Sequence, residues 1–401
     1  RVLCMKIGIY GGTFNPPHLG HMAAGRHALE ALELDRLLFI PAALPPHKLL
    51  PDGTPAPGDR VAMTAILADN LLCGERAQVS DLELRRAGKS YSSDTILELR
   101  REYPQAEFWF LMGADMFLTL QTWHEPLKLL AQTGVAAFAR SQSDRMEALE
   151  EQAGRLRRAY GAQVKVLRLP ELVDTSSTQV RAAIGRGEGR ELLCPAVWGY
   201  ILMHRLYGTH ADLTHLDDED LRACSYSMVK AKRLRHIRGT EEEAVRLALH
   251  WGADPEKARR AAILHDCTKY LDGEEQLQLC AKYGIVLDEL EKRAVKLLHA
   301  KTGAALARHL FGVSDDIYEA IFWHTTGKAG MTLLEKILYT ADYMEPSRDF
   351  EGVQRLRELA YTDLDAAVLL GCEMSIADME ERHQPVHRNT LEARNWLRDR
   401  K

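Results

Sequence analysis

The sequence predicts a parallel, doubly wound α/β domain followed by an all-α domain. Three observations carry that prediction. Apolar strand-like runs alternate with helical stretches through the first half, the rhythm of a parallel sheet with crossover helices. Beyond Pro195 no strand pattern recurs, and Ala, Leu, Glu and Arg repeat at helical spacing. At 401 residues the chain is too long for one comfortable core and suits two domains.

In chain order, the strand candidates are Lys6–Tyr10, Arg36–Pro41, Ala77–Ser80, Glu107–Met112, Gly134–Ala139 and Val164–Leu167. Helical stretches between them run over Gly20–Leu32, Pro57–Leu72, Ser93–Glu102, His124–Ala131 and Asp144–Tyr160. A further helix covers residues 196–206, after which a polar, turn-rich stretch, 208–218, marks a boundary. The expected domains are residues 1–208 and 209–401. In the second, breaks fall at Gly252-Ala253-Asp254-Pro255, Leu271-Asp272-Gly273, Gly312-Val313-Ser314 and Glu345-Pro346-Ser347.

Composition narrows the partners. Net charge is −5, and neither half is strongly basic, so no nucleic-acid binding is expected. Seven cysteines without a Cys-x-x-Cys pair suit reduced thiols of a cytoplasmic protein. No apolar run is long enough for a transmembrane helix and no leader pattern precedes Met5, a candidate start with residues 1–4 as an upstream extension.

The densest motif is Gly11-Gly12-Thr13-Phe14-Asn15-Pro16-Pro17-His18-Leu19-Gly20-His21, between the first strand and the first helix. Glycines permit close backbone approach to a phosphate, and a helix start offers free N–H groups with a positive dipole end. His18 and His21, three residues apart, add donors on one helical face. Ligands in doubly wound sheets sit beyond the carboxyl ends of the strands, where this motif lies. Other segments fall on the same edge: Pro45-Pro46-His47-Lys48, Tyr91-Ser92-Ser93-Asp94-Thr95, Gly113-Ala114-Asp115 with Thr122-Trp123, and Ser176-Ser177-Thr178-Gln179-Val180-Arg181. Each also has a plain structural role. Ser176 and Ser177 suit helix caps, Asp115 a cap, Trp123 packing, and His47 and Lys48 a solvated loop.

Those motifs, in that order over residues 5–205, resemble the nicotinate-nucleotide adenylyltransferase family. The resemblance implies a Rossmann-like nucleotidyltransferase domain that joins ATP to nicotinate mononucleotide, giving deamido-NAD and pyrophosphate. It implies that Gly11, Gly12, Thr13 and Phe14 form the phosphate turn and that His18 and His21 hold the ATP phosphates. Ser177, Thr178 and Arg181 would complete the triphosphate site. Gly113 and Asp115 would line the ATP side, and Lys48, Thr95 and Trp123 the pyridine nucleotide. Mg²⁺ would arrive on ATP, since no acidic pair suited to hold it stands out. Other His-x-Gly-His transferases act on pantetheine phosphate or by cytidylyl transfer; the Gly-Ala-Asp and Thr-Trp segments favour the nicotinate branch.

The second half carries His236, His265-Asp266, His299, His324 and Asp342, polar intruders on otherwise apolar helices. Burying such groups is costly without compensation, and a divalent cation supplies it. One histidine on an apolar face is ordinarily a satisfied core or surface residue, and His250, His309, His383 and His387 are read that way. The ordered set resembles the HD phosphohydrolase superfamily. The segments Trp323–Gly327, Leu333–Ile337 and Ala341–Arg348 resemble its branch that cleaves diadenosine tetraphosphate symmetrically into two ADP, over residues 215–401. The resemblance implies two divalent metals, with His236, His265, Asp266 and Asp342 on one, His299 and His324 on the other, and Asp266 bridging. It implies that Lys269 and Arg348 neutralise the polyphosphate. Such ligands accept iron, manganese or zinc, and the branch implies iron. The alternatives are a nucleotide-sensing module and a hydrolase of another nucleotide. A homo-oligomer is compatible with the sequence.

Overall fold

The computed structural model describes residues 4–43, 49–86, 88–139, 143–169 and 175–400. The chain divides into two compact units, Arg1–His210 and Ala211–Lys401.

In the first unit the strands are β1 (Lys6–Gly12), β2 (Arg36–Pro41), β3 (Ala77–Val79), β4 (Glu107–Gly113), β5 (Gly134–Ala139) and β6 (Val164–Arg168). The helices are α1 (Leu19–Ala31), α2 (Pro57–Asp69), α3 (Ser92–Glu102), α4 (Ala114–Leu118), α5 (Pro126–Gln132), α6 (Ser143–Tyr160), α7 (Ser177–Gly185) and α8 (Pro195–Met203). Among the described residues the strands form one sheet in the order β3-β2-β1-β4-β5-β6, and every pairing is parallel. Helices on both faces leave the central strands no solvent side. Ile7, Ile9, Leu37, Phe39, Val135 and Ala136 are accordingly all fully buried.

The order reverses between β1 and β4, so the crevice of this sheet opens at their carboxyl ends. Gly12 ends β1 and Gly113 ends β4, so both lie on that edge. β1 runs two residues beyond the apolar stretch because Gly11 and Gly12 still pair with Ile40 and Pro41 of β2. The side-chain pattern ends at Tyr10, but backbone pairing does not depend on side chains.

The second unit is helical throughout its described residues. Its helices are α9 (Asp218–Ser227), α10 (Leu234–Trp251), α11 (Pro255–Leu264), α12 (Gly273–Lys282), α13 (Glu289–Arg293), α14 (Leu298–Phe311), α15 (Asp315–Trp323), α16 (Leu333–Met344), α17 (Val353–Thr362), α18 (Leu364–Glu381) and α19 (Arg388–Arg398). Their starts follow chemistry legible in the sequence. Asp254 accepts from the amides of Glu256 and Lys257 ahead of Pro255, and Thr332 forms a reciprocal capping box with Glu335. The core joins α10, α11, α14, α15 and α16 through residues such as Leu247, Ile263, Ala304, Ile321 and Ile337, each fully buried. No helix of the described residues is long and apolar enough to cross a membrane.

Candidate functional sites

The turn after β1 is held from several directions. Arg181 of α7 donates through Nη1 to the carbonyl of Asn15 at 2.6 Å, and Ser177 Oγ donates to the carbonyl of Pro16 at 3.0 Å. Tyr207 Oη donates to Asn15 Oδ1 at 2.8 Å. Arg60 of α2 donates through Nη1 to Thr13 O at 2.8 Å and to Ala42 O at 2.7 Å, tying the turn after β1 to the end of β2. Its guanidinium is fully buried, and burial pulls its pKa down. Phe14 sits at φ 46°, a left-handed conformation a bulky residue adopts only when its surroundings impose it. Its ring packs against Tyr10, His21 and Phe39.

His18 and His21 begin α1 as a capping box. His18 Nδ1 accepts from the Gly20 amide and His21 Nδ1 accepts from the His18 amide, both at 3.1 Å. An Nδ1 that accepts has no proton, so this network assigns the neutral ring's proton to Nε2. The rings lie 3.8 Å apart between centroids. Gly20 is where the chain must lack a side chain: a Cβ would stand 2.8 Å from His18 Cε1 and 3.2 Å from the Thr175 carbonyl.

The other segments separate by role. Ser176 caps α7 and accepts from Gln179 N, so the plain reading holds for it, whereas Ser177 reaches the β1 turn. Thr178 Oγ1 accepts from Arg181 Nη2 at 3.2 Å. Thr95 is buried; its hydroxyl donates to Glu83 Oε1 at 2.7 Å and accepts from Arg86 Nη1 at 2.9 Å. Trp123 is half-buried and meets Phe110 edge-on, 6.2 Å between centroids. Gly113 precedes α4 and Asp115 is exposed in its first turn. Lys48, with 44–47, lies outside the described residues.

The second unit draws its six candidate ligands to one place from five helices. His236 and His299 stand in the first turns of α10 and α14, while His265 and His324 cap the carboxyl ends of α11 and α15. Asp266 follows His265, and Asp342 lies near the end of α16. Asp266 divides its oxygens. Oδ2 lies 3.5 Å from His265 Nε2 and 3.8 Å from His236 Nε2, while Oδ1 lies 3.2 Å from His299 Nε2 and 3.7 Å from His324 Nε2. Asp342 Oδ1 is 2.9 Å from His236 Nε2 and 3.5 Å from His265 Nε2.

Here the histidines are anchored by the opposite nitrogen role. Nδ1 of His265, His299 and His324 faces the carbonyl of Ala262, Lys296 and Ile321 at 2.6, 2.7 and 2.6 Å. Nδ1 of His236 faces Glu345 Oε1 at 3.0 Å. Each acceptor requires a proton on Nδ1, which leaves the Nε2 lone pairs converging. The Nε2 atoms of His236 and His265 are 3.3 Å apart, and buried His299 Nε2 has no hydrogen bond of proper angle although Asp266 is near. Converging lone pairs with an orphaned buried nitrogen need a proton or a cation among them, so these residues fit divalent metal.

The charges agree with that. Burial pushes the Asp266 carboxyl up, but His265, His299, His324 and Lys269 overcome it and hold it well below the carboxylate range. Asp342 behaves likewise under His236 and His265. Burial lowers the His299 pKa, favouring the neutral ring a metal needs. At His236 burial is outweighed by Asp342 and Glu345, which raise it. Lys269 Nζ is 3.5 Å from Asp266 Oδ1 and Arg348 Nη2 is 3.3 Å from Asp342 Oδ1.

Sequence reasoning missed Arg60, Arg233 and Glu345. Arg233 donates to Asp266 Oδ2 through Nε at 2.7 Å and Nη2 at 2.6 Å. Signals existed: Arg60 falls on the buried stripe of Met63, Thr64 and Leu67, and Arg233 and Glu345 stand three residues from His236 and Asp342. A third cluster joins Asp288, Glu291 and His387. His387 Nδ1 accepts from Asn389 N, so Nε2 carries the proton and donates to Glu291 Oε1 at 3.1 Å. With Lys301 also on Glu291, this is a saturated ion-pair staple and no metal site. His387 is therefore a buried histidine with both ring nitrogens satisfied.

Residues 9–183 match the cytidylyltransferase-like family and residues 233–347 the HD domain family. The symmetrical bis(5'-nucleosyl)-tetraphosphatase of Bacillus subtilis (strain 168) is 39% identical over 183 residues, covering 45% of this chain and 98% of that protein. A "Probable nicotinate-nucleotide adenylyltransferase" of Exiguobacterium sibiricum is 40% identical over 191 residues, 48% of this chain and 92% of that protein. A crystal structure of a predicted HD superfamily hydrolase involved in NAD metabolism from Clostridium acetobutylicum is 40% identical, with a TM-score of 0.45, covering 46% of this chain and 99% of that one.

Proposed function

The chain belongs to the nicotinate-nucleotide adenylyltransferase family through its first unit and to the HD-domain family of the symmetrical tetraphosphatases through its second, and on that premise we propose that it carries two activities. The first transfers AMP from ATP to nicotinate mononucleotide, releasing pyrophosphate. The second hydrolyses diadenosine tetraphosphate to two ADP. The observation that carries the proposal is the opposite anchoring of the two histidine sets. Rings held at Nδ1 by backbone amides present Nε2–H donors, which suit phosphate oxygens. Rings held at Nδ1 by acceptors present Nε2 lone pairs, which suit metal.

In the first site, a phosphate oxygen of nicotinate mononucleotide attacks the α-phosphorus of ATP in line, and the bond to the bridging oxygen of pyrophosphate breaks. The attacking oxygen is already anionic at neutral pH, so the site must position and neutralise. His18 and His21 donate to the phosphates from the start of α1. Ser177 and Arg181 hold the carbonyls of Pro16 and Asn15, which sets the turn, and Arg60 braces the same turn from α2. Thr95 would serve the pyridine-nucleotide side indirectly, by ordering Glu83 and Arg86. Trp123 would complete that side, and the family resemblance alone assigns Lys48 to it. Mg²⁺ would enter the first site on ATP.

In the second site, His236, His265, Asp266 and Asp342 would hold one divalent metal, and His299, His324 and Asp266 a second, with iron as the expected metal. When bound, the metals supply Lewis acidity and an activated water. Lys269, Arg348 and Arg233 stand around the two carboxylates to take the polyphosphate.

Full-length protein assayed for both reactions, with metal content measured on the same sample, tests this. Deamido-NAD formation with symmetric cleavage to ADP is expected. A metal-free protein inert on diadenosine tetraphosphate would make the second unit a sensor, and cleavage of another nucleotide in its place would reassign the substrate.

A further inference from the structure

Of the four candidate metal-binding histidines in the second unit, His236, His265, His299 and His324, the last three are anchored by backbone carbonyls, which no substitution removes. His236 alone depends on a side chain, that of Glu345. Glu345 is fully buried just past α16 and carries no donor when ionised. Its other contacts are also donors: the Ser347 amide gives to Oε2 at 2.7 Å, and the Ser347 hydroxyl gives to Oε1. The segment is pinned from behind by Arg357, which donates to the carbonyls of Met344, Glu345 and Arg348 at 2.9, 3.0 and 2.9 Å. On the α10 side the carboxylate passes over Gly239, where any Cβ would collide with Glu345 Oε2.

We propose that Glu345 is the positioning residue that makes His236 a metal ligand, fixing its tautomer so that the half-site of His236, His265 and Asp342 holds a divalent cation. This rests on the metal reading of the second unit. The argument is one of donors and acceptors. A group that only accepts can face only a protonated Nδ1, and the Nε2 lone pair then points at Asp342 and His265. A glutamine in place of Glu345 cannot satisfy both neighbours. With its oxygen towards His236, its amide group faces the Ser347 N–H, donor against donor. Turned over, its amide faces Nδ1 and drives the His236 proton to Nε2, where the metal should be.

The test is Mn²⁺ binding by the metal-stripped full chain, followed by equilibrium dialysis. Wild type should bind two Mn²⁺. Glu345→Gln should keep one, held by His299, His324 and Asp266, and bind the other roughly 10–100-fold more weakly. Gly239→Ala, which touches no ligand, should give the same pattern. Nitrogen-15 spectra of the imidazoles should show His236 protonated on Nδ1 in wild type and not in Glu345→Gln. Two Mn²⁺ at wild-type affinity in both variants overturns the inference. If Glu345→Gln loses both ions, Glu345→Asp decides: its charge is kept but drawn back by a methylene, so a weakened single half-site supports the inference and unchanged binding overturns it. A wild-type chain that binds no Mn²⁺ overturns the metal reading itself, which tells the two failures apart.

Discussion

A histidine's job in this protein is set by what its Nδ1 touches. His18 and His21 accept there from amides of their own helix start, and His236, His265, His299 and His324 donate there. His21→Ala should lower deamido-NAD formation by about 10²–10³-fold, the scale of losing one donor to a developing phosphate charge, and leave polyphosphate hydrolysis intact. Asp266→Ala should do the reverse and release metal, because it removes the carboxylate shared by both halves of the cluster. Loss of both activities from either change would refute separate sites. Glu83 adds a pH effect. Burial pushes its carboxyl up against the pull of Thr95 and Arg86. Between the unfolded value, about 4.3, and its higher folded value, the native state holds more protons than the unfolded one. Stability therefore falls as pH rises through that window. Glu83→Gln removes the term, so its stability relative to wild type should improve from pH 4 to pH 7 in urea unfolding. An unchanged difference would mean the buried carboxyl is not responsible.

Helix α7 shows how an element transmits a local cap to a distant loop. The Ser176–Gln179 capping box starts the helix, and Ser177 and Arg181, one turn on, reach the carbonyls of Pro16 and Asn15. Ser176→Ala should cost about 1 kcal/mol, read as a lower Tm. It should also reduce kcat/KM for adenylyl transfer, because a frayed α7 releases both groups. A lower Tm with unchanged kcat/KM would show that α7 stabilises without positioning. The ends of helices are equally decisive in the second unit, where His265 and His324 are C-cap residues and Asp266 begins the turn after α11. Elements of this kind were legible because caps, breaks and apolar periods are local. What exceeded them was backbone pairing past the apolar run at Gly11–Gly12, and the short helix α4, which has too few residues for a period to show.

Across the whole molecule the cysteines report on core integrity. Cys4 is exposed and Cys73 half-buried, while Cys194, Cys224, Cys267, Cys280 and Cys372 are buried. Burial pushes the thiols of Cys224 and Cys267 up to about 12 and that of Cys372 up to about 11. Since the thiolate is the reactive form, a disulfide reagent at pH 8 should modify Cys4 and Cys73 in the native protein and the remaining five only on unfolding. Rapid modification of Cys224 or Cys267 in the native state would contradict this packing.

By itself the sequence determined that a parallel α/β unit precedes a helical one, that a Gly-rich turn with His18 and His21 opens the first helix, and that six metal-type residues punctuate the second half. Those are properties of order and spacing, which a chain carries before it folds. Only the tertiary structure decided which nitrogen of each histidine is committed, and so whether a ring offers a proton or a lone pair. It decided that Arg60 and Arg181 brace one turn from two different helices, and that Glu345 meets His236 over Gly239. Those partners lie 47, 166 and 109 residues apart. A hydrogen-bond acceptor that distant leaves no mark on local periodicity, and the tautomer it selects exists only once the helices have packed.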